Sequence, residues 1–138
     1  MADKIRLRLV TPRRMLLDEE VEEVAAPGAL GEFGVLLNHI SFLTLLENGE
    51  MSYKQGPDKY YIALGGGYAE VLDNVMTVLA DVAEYADEID VERARRARER
   101  AEETMEKLNR DDKEFLVAEA ALRRALVRMQ VAARASVR

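Results

Sequence analysis

All eight glycines and all three prolines of this 138-residue chain lie before residue 68. Glycine and proline weaken or break helix interiors and supply the backbone angles of tight turns. The first part of the chain can therefore turn often, whereas the second part holds nothing that would interrupt a helix. Between the breakers stand short β-prone runs, "IRLRLV", "FLTLL", "EMSYK", "KYYIAL", "YAEVL" and "VMTVLA". The strings "PGALGEFG", "ENG", "GPD", "GGG" and "DN" read as the turns. Such runs, recurring every eight to ten residues, predict an antiparallel β-sandwich of about ten short strands over residues 1–86.

From residue 87 the period changes from two to about three and a half. Val91, Ala94, Ala97, Ala101, Met105 and Leu108 fall on one helix face, and Phe115, Ala118, Leu122, Ala125, Met129 and Ala132 form a second stripe with heptad-like spacing. The break "NRDDKE" separates them, with Asp111 and Glu114 spaced as a capping box. Residues 87–138 thus predict an antiparallel two-helix hairpin, with helices over 91–108 and 112–137 of roughly 27 and 39 Å at ~1.5 Å per residue. The fold class is α+β. Alanine stripes bury little area, and apolar burial yields only about 25 cal/mol per Å², so the hairpin is marginal unless it docks on something. It can lie on the sandwich or extend toward a partner.

Composition excludes several chemistries. With no cysteine and a single histidine, disulfides, thiol catalysis and nearly all zinc arrangements are ruled out, and no metal site is expected. His39 has no nucleophile or carboxylate partner that the sequence places beside it, so no catalytic residue is expected either. The glycine string "GGGYAE" lacks the lysine and hydroxyl of a phosphate loop. The N-terminus carries Arg6 and Arg8 where a signal peptide needs an apolar run, and no stretch reaches ~18 uncharged apolar residues, which predicts a soluble, unexported protein. The charge divides unevenly, −7 over residues 1–86 and +1 over residues 87–138, and residues 123–138 hold five arginines and no acid. An acidic β-barrel with an arginine-bearing hairpin is the alternative reading, a nucleic-acid-binding module. Against it, the helices interleave acids with their arginines and no aromatic stacking platform is present.

The segments "PGALGEFGVLLNHISFLTLLENG" (27–49) and "GGYAEVLDNVMTVLA" (66–80), followed by "AEYADEIDVERARRARERAEE", resemble the epsilon subunit of F-type ATP synthases along essentially the whole chain. Leu37 stands where that family commonly has proline, and Ile40-Ser41 where it has Ala-Pro. The resemblance implies a non-catalytic rotor subunit of the central stalk, without a required cofactor, that helps couple proton or sodium flow to ATP synthesis. Its implied partners are the gamma subunit, the ring of membrane-embedded subunits and the catalytic alpha/beta head. The implied location is the bacterial inner membrane, peripheral on the cytoplasmic side, with the chloroplast thylakoid as the other setting. By family position Glu32 faces the ring and His39 lies near gamma. The hairpin would restrain ATP hydrolysis through arginines, among them Arg123 and the cluster Arg93, Arg95, Arg96, Arg98 and Arg100.

Asp90 directly precedes the first helical stripe, where a carboxylate can accept a first-turn N–H as an N-cap. The resemblance adds a second role. "IDVERA" matches the I-D-x-x-R-A string of family members that bind regulatory ATP, at Ile89, Asp90, Arg93 and Ala94. The same carry-over extends to Glu84, Arg100, Arg124 and Arg128, whereas a basic family position in the second helix falls on Val117.

Overall fold

The computed structural model describes residues 4–134. The alternation in "IRLRLV" makes β1 (Ile5–Val10), which buries Ile5, Leu7 and Leu9 and leaves Arg6 and Arg8 outside. There follow β2 (Met15–Val21), β3 (Glu23–Gly28), β4 (Gly31–Val35), β5 (Phe42–Leu45), β6 (Gly49–Gln55), β7 (Asp58–Leu72) and β8 (Val75–Tyr85). Hydrogen bonding links them in the order β2-β1-β8-β7-β6-β3-β4, with β5 on β7. The neighbours pair antiparallel except β1 and β8, which run parallel. The core between the layers includes Leu7, Val24, Met51, Ile62, Met76 and Val78.

The described residues form eight strands, not about ten, and the main reason is β7. "KYYIAL" and "YAEVL" are one continuous 15-residue strand, and "GGG" is not a turn. The part from Asp58 to Leu64 pairs with β6, the part from Tyr68 to Val71 pairs with β5, and β8 follows both in one register. Gly66 and Gly67 take φ of 72° and 112°, and a Cβ at Gly67 would strike the Leu79 carbonyl. The glycines let the strand bend between two partners without breaking.

A 3-10 turn (Ala86–Glu88) leads into α1 (Val91–Glu106) and α2 (Lys113–Ala132). Both helices end earlier than the periodicity suggests, α1 by two residues, and residues 135–138 lie outside the described residues. Asp111 does not cap α2. The N-cap is Asp112, and its carboxylate accepts from the Asn109 N–H at 3.1 Å, so it closes the loop instead of serving the helix. Ala94, Ala101, Ala118 and Ala125 are buried where the helices meet. The hairpin docks on the sandwich through α2, which meets β7, β6 and the 3-10 turn. Val131 is fully buried there among Ala63, Ala86 and Ile89, with Tyr61 and Val127 beside it.

Candidate functional site

The docked hairpin creates a junction whose chemistry is set by arginines. Asp90 caps α1, its Oδ1 accepting from the Arg93 N–H at 3.1 Å. This fixes the first turn and with it the point where the Arg93 side chain leaves the helix. Ile89 and Ala94 are buried on either side and support the turn. Across from them Arg128 of α2 holds Glu84 of β8 in a two-pronged pair, Nε to Oε1 at 2.8 Å and Nη2 to Oε2 at 3.1 Å. The two side chains are about three-quarters covered, so this pair is worth more than a fully solvated one.

A cleft of about 520 Å³ opens beside this pair. Glu84 and Asp81 line it from β8, Arg93 from α1, Arg128 from α2, and Arg13 and Arg14 from the β1–β2 turn. Four arginines and two carboxylates line it, and Glu88 at its margin holds Arg14, which leaves a local excess of one positive charge in a chain of net charge −6. The cleft exists only while the hairpin is docked, because α1 and α2 form one wall of it.

The site residues named from sequence fall into three groups. Glu84, Arg93 and Arg128 line the junction cleft, and Ile89, Asp90 and Ala94 build the helix start beside it. Arg100 instead lines a groove between α1 and α2 with Thr104, Glu114 and Val117. Arg123 and Arg124 are exposed on α2 and make no ion pair among the described residues. Within the α1 cluster, Arg95 pairs with Glu92 at 2.6 Å and Arg98 lies 3.4 Å from Glu102, so part of its charge is matched along the helix.

Two contacts escape any reading of the sequence. Arg134 donates to Glu50 of β6 at 3.1 Å and stacks on the Tyr61 ring at 5.1 Å, and the hydrogen bond to Glu50 raises its pKa. Arg14 reaches Glu88 in the 3-10 turn through bonds of 3.1 and 3.0 Å, while Glu88 Oε1 also accepts from the Tyr85 N–H at 3.0 Å. Together with Val131 these contacts fasten the hairpin and its linker to the sandwich.

The far side of the sandwich offers a different surface. Leu45, Tyr68 and Leu79 lie side by side across β5, β7 and β8, and with Leu43 and Leu72 they form an exposed apolar face. His39 sits near its edge, half-buried, with Nδ1 2.7 Å from the Ile40 carbonyl and its ring against Phe42. Asn38 holds a left-handed turn at φ 66°, its N–H donating to Asn74 at 2.6 Å. Leu37 packs onto the core. At the opposite end of β4, Glu32 is exposed beside a turn whose tip, Leu30, is fully exposed. No helix among the described residues is long and apolar enough to cross a membrane.

Known proteins resemble the chain along nearly its full length. Residues 4–86 match the family described as ATP synthase delta/epsilon chain, β-sandwich domain, and residues 87–133 match the long α-helix domain of the same chains. An ATP synthase epsilon chain of Geotalea uraniireducens is 54% identical over 136 residues, covering 99% of both chains. That of Geobacter sulfurreducens is 53% identical over 136 residues, again 99% of each. Among solved structures, a chain of the Euglena gracilis mitochondrial ATP synthase (OSCP/F1/c-ring) superposes with a TM-score of 0.81 at 25% identity, covering 99% of this chain and 82% of that one. A chain of the Tetrahymena thermophila mitochondrial ATP synthase central stalk and c-ring shares the fold at a TM-score of 0.56 and 16% identity, with 95% of each covered. The chain belongs to the ATP synthase delta/epsilon family, as an epsilon subunit of the central stalk of an F-type enzyme.

Proposed function

We propose that this subunit is a non-catalytic rotor component that helps couple proton or sodium flow to ATP synthesis and restrains ATP hydrolysis through its hairpin, with ATP as a regulatory ligand. The carrying observation is the way the hairpin is fastened. One fully buried side chain, Val131, and a few ion pairs hold α2 to the sandwich, whereas the sandwich has an extensive core of its own. A joint this slight can open without unfolding either part, which is what a two-state regulator requires.

The remaining surfaces supply the contacts. The exposed face of β5, β7 and β8 is where the gamma shaft docks, with His39 at its margin, since an apolar face of this kind needs a partner. The exposed β3–β4 tip with Leu30 and Glu32 addresses the membrane-embedded ring. Arg123 and Arg124, free in the docked state, meet an acidic segment of the catalytic alpha/beta head when the hairpin rises. ATP at the junction, touching Arg93 and Arg128, favours the docked state by ~1.4 kcal/mol at ten times its dissociation constant. The subunit works at the bacterial inner membrane, on the cytoplasmic side, as a peripheral member of the complex.

The inhibitory contact is tested with Arg123→Ala/Arg124→Ala in the assembled enzyme. Both side chains are exposed in the docked form, so the double variant leaves docking untouched. Arg128 is unsuitable because its loss would also release Glu84. ATP hydrolysis should rise about threefold, the effect of losing one or two solvated charge contacts, while ATP synthesis stays unchanged. Equal hydrolysis by wild type and variant would show that these arginines do not take part.

A further inference from the structure

The arginines around the junction cleft are not equivalent. Arg128 is matched by Glu84 and Arg14 by Glu88. Arg13 and Arg93 have no side-chain hydrogen bond or ion pair among the described residues, yet both line the cleft. They stand on different parts of the molecule, Arg13 on the sandwich and Arg93 on the hairpin.

The turn that carries Arg13 is held in place. The Thr11 hydroxyl accepts from the N–H groups of Arg13 and Arg14, each at 3.3 Å, and the Thr11 N–H donates to the Arg14 carbonyl at 2.9 Å. These bonds fix the backbone from which the Arg13 guanidinium projects. Two unmatched guanidiniums on opposite walls, opposed only by the Asp81 carboxylate once the Arg128–Glu84 and Arg14–Glu88 pairs are set aside, fit a ligand that carries several anionic oxygens along its length. A polyphosphate has that form, and its oxygens suit the planar donor fork of arginine. A single carboxylate offers one pair of oxygens and meets one wall.

We infer that the polyphosphate moiety of an anionic ligand binds across this cleft, clamped by Arg13 of the sandwich and Arg93 of the hairpin. The inference rests on the nucleotide reading above and adds a ligand from the sandwich, at a position outside the "IDVERA" string. A ligand held from both sides cross-links the two parts directly. It also explains how the phosphate end is met although Val117 supplies no charge, for Val117 lines the other groove.

Calorimetric titration of the full chain with ATP and with inorganic tripolyphosphate, at one fixed ionic strength, tests this on wild type, Arg13→Ala, Arg13→Lys and Arg93→Ala. Both ligands should bind wild type. Arg13→Ala should weaken both about tenfold, as for loss of one charge-assisted contact, and Arg13→Lys should fall between. Arg13 is exposed and has no side-chain partner to lose, so its variants keep the fold. ATP binding by Arg13→Ala equal to that of wild type would overturn the clamp and leave the nucleotide reading standing. Tripolyphosphate binding without ATP binding would overturn the nucleotide reading and keep the clamp, and binding of neither would overturn both.

Discussion

Arg98 stands beside Ala97 of the α1 stripe, one turn from Ala94 and three residues before Ala101. Its Nε is enclosed without a hydrogen-bond partner among the described residues, with Glu102 Oε1 3.4 Å away and poorly aligned. An enclosed donor left unmet costs about 1–3 kcal/mol. Arg98→Met keeps the length of the stem and removes the donor, so the hairpin should gain about 1 kcal/mol. Urea unfolding followed by helical circular dichroism checks this, and a lower midpoint would show that the guanidinium contributes more through its solvated end. At this scale the legible features were local. The Asp90 cap follows from a rule that spans three residues, and the structure bears it out. The Arg14–Glu88 and Arg134–Glu50 pairs join residues 74 and 84 apart. Exposed charges carry no mark of their partner, and only the fold brings them together.

Among the elements, the sandwich and the hairpin were legible because periods of two and of three and a half repeat along each segment. Strand β7 was not. A run of three glycines signals freedom of φ, and the sequence alone does not say whether that freedom makes a turn or a bend inside a strand. Helix α2 was read as a single stripe facing α1, which accounts for Ala118 and Ala125. Val131 lies off that stripe because α2 has a second face to bury, against Ala63, Ala86 and Ile89. Val131→Asp should therefore undock the hairpin without melting it, since an unpaired buried charge costs several kcal/mol. Hydrogen exchange should show lost protection on the face of β7 near Tyr61 and Ala63, while α1 and α2 stay helical. If exchange there matched wild type, Val131 would not hold the joint.

For the whole molecule, stability should fall at both ends of the pH range. The Asp18 carboxyl is held below its usual range, chiefly by the hydrogen bond from Arg6, so its contribution is present at neutral pH and is lost as pH falls through that lowered value. Tyr53 and Tyr85 share a hydroxyl–hydroxyl bond of 3.0 Å, and burial pushes both phenols above the ordinary tyrosine value. The raised pKa makes the folded chain keep protons that the unfolded chain releases. Stability is then full below about pH 10 and declines above it, by at most about 1.4 kcal/mol per pH unit for a phenol that stays protonated in the folded chain. Tyr53→Phe should flatten this alkaline slope by about that amount in urea titrations from pH 9 to 11, and an unaltered slope would place the titration elsewhere. The bend in β7 has a mechanical consequence of its own. One strand carries Tyr61 and Ala63 under the hairpin at one end and Tyr68 and Leu72 on the exposed face at the other. A twisting load applied to that face enters the strand that seats the hairpin, and the three glycines are its most compliant hinge, so the backbone there sets how much torque the joint feels.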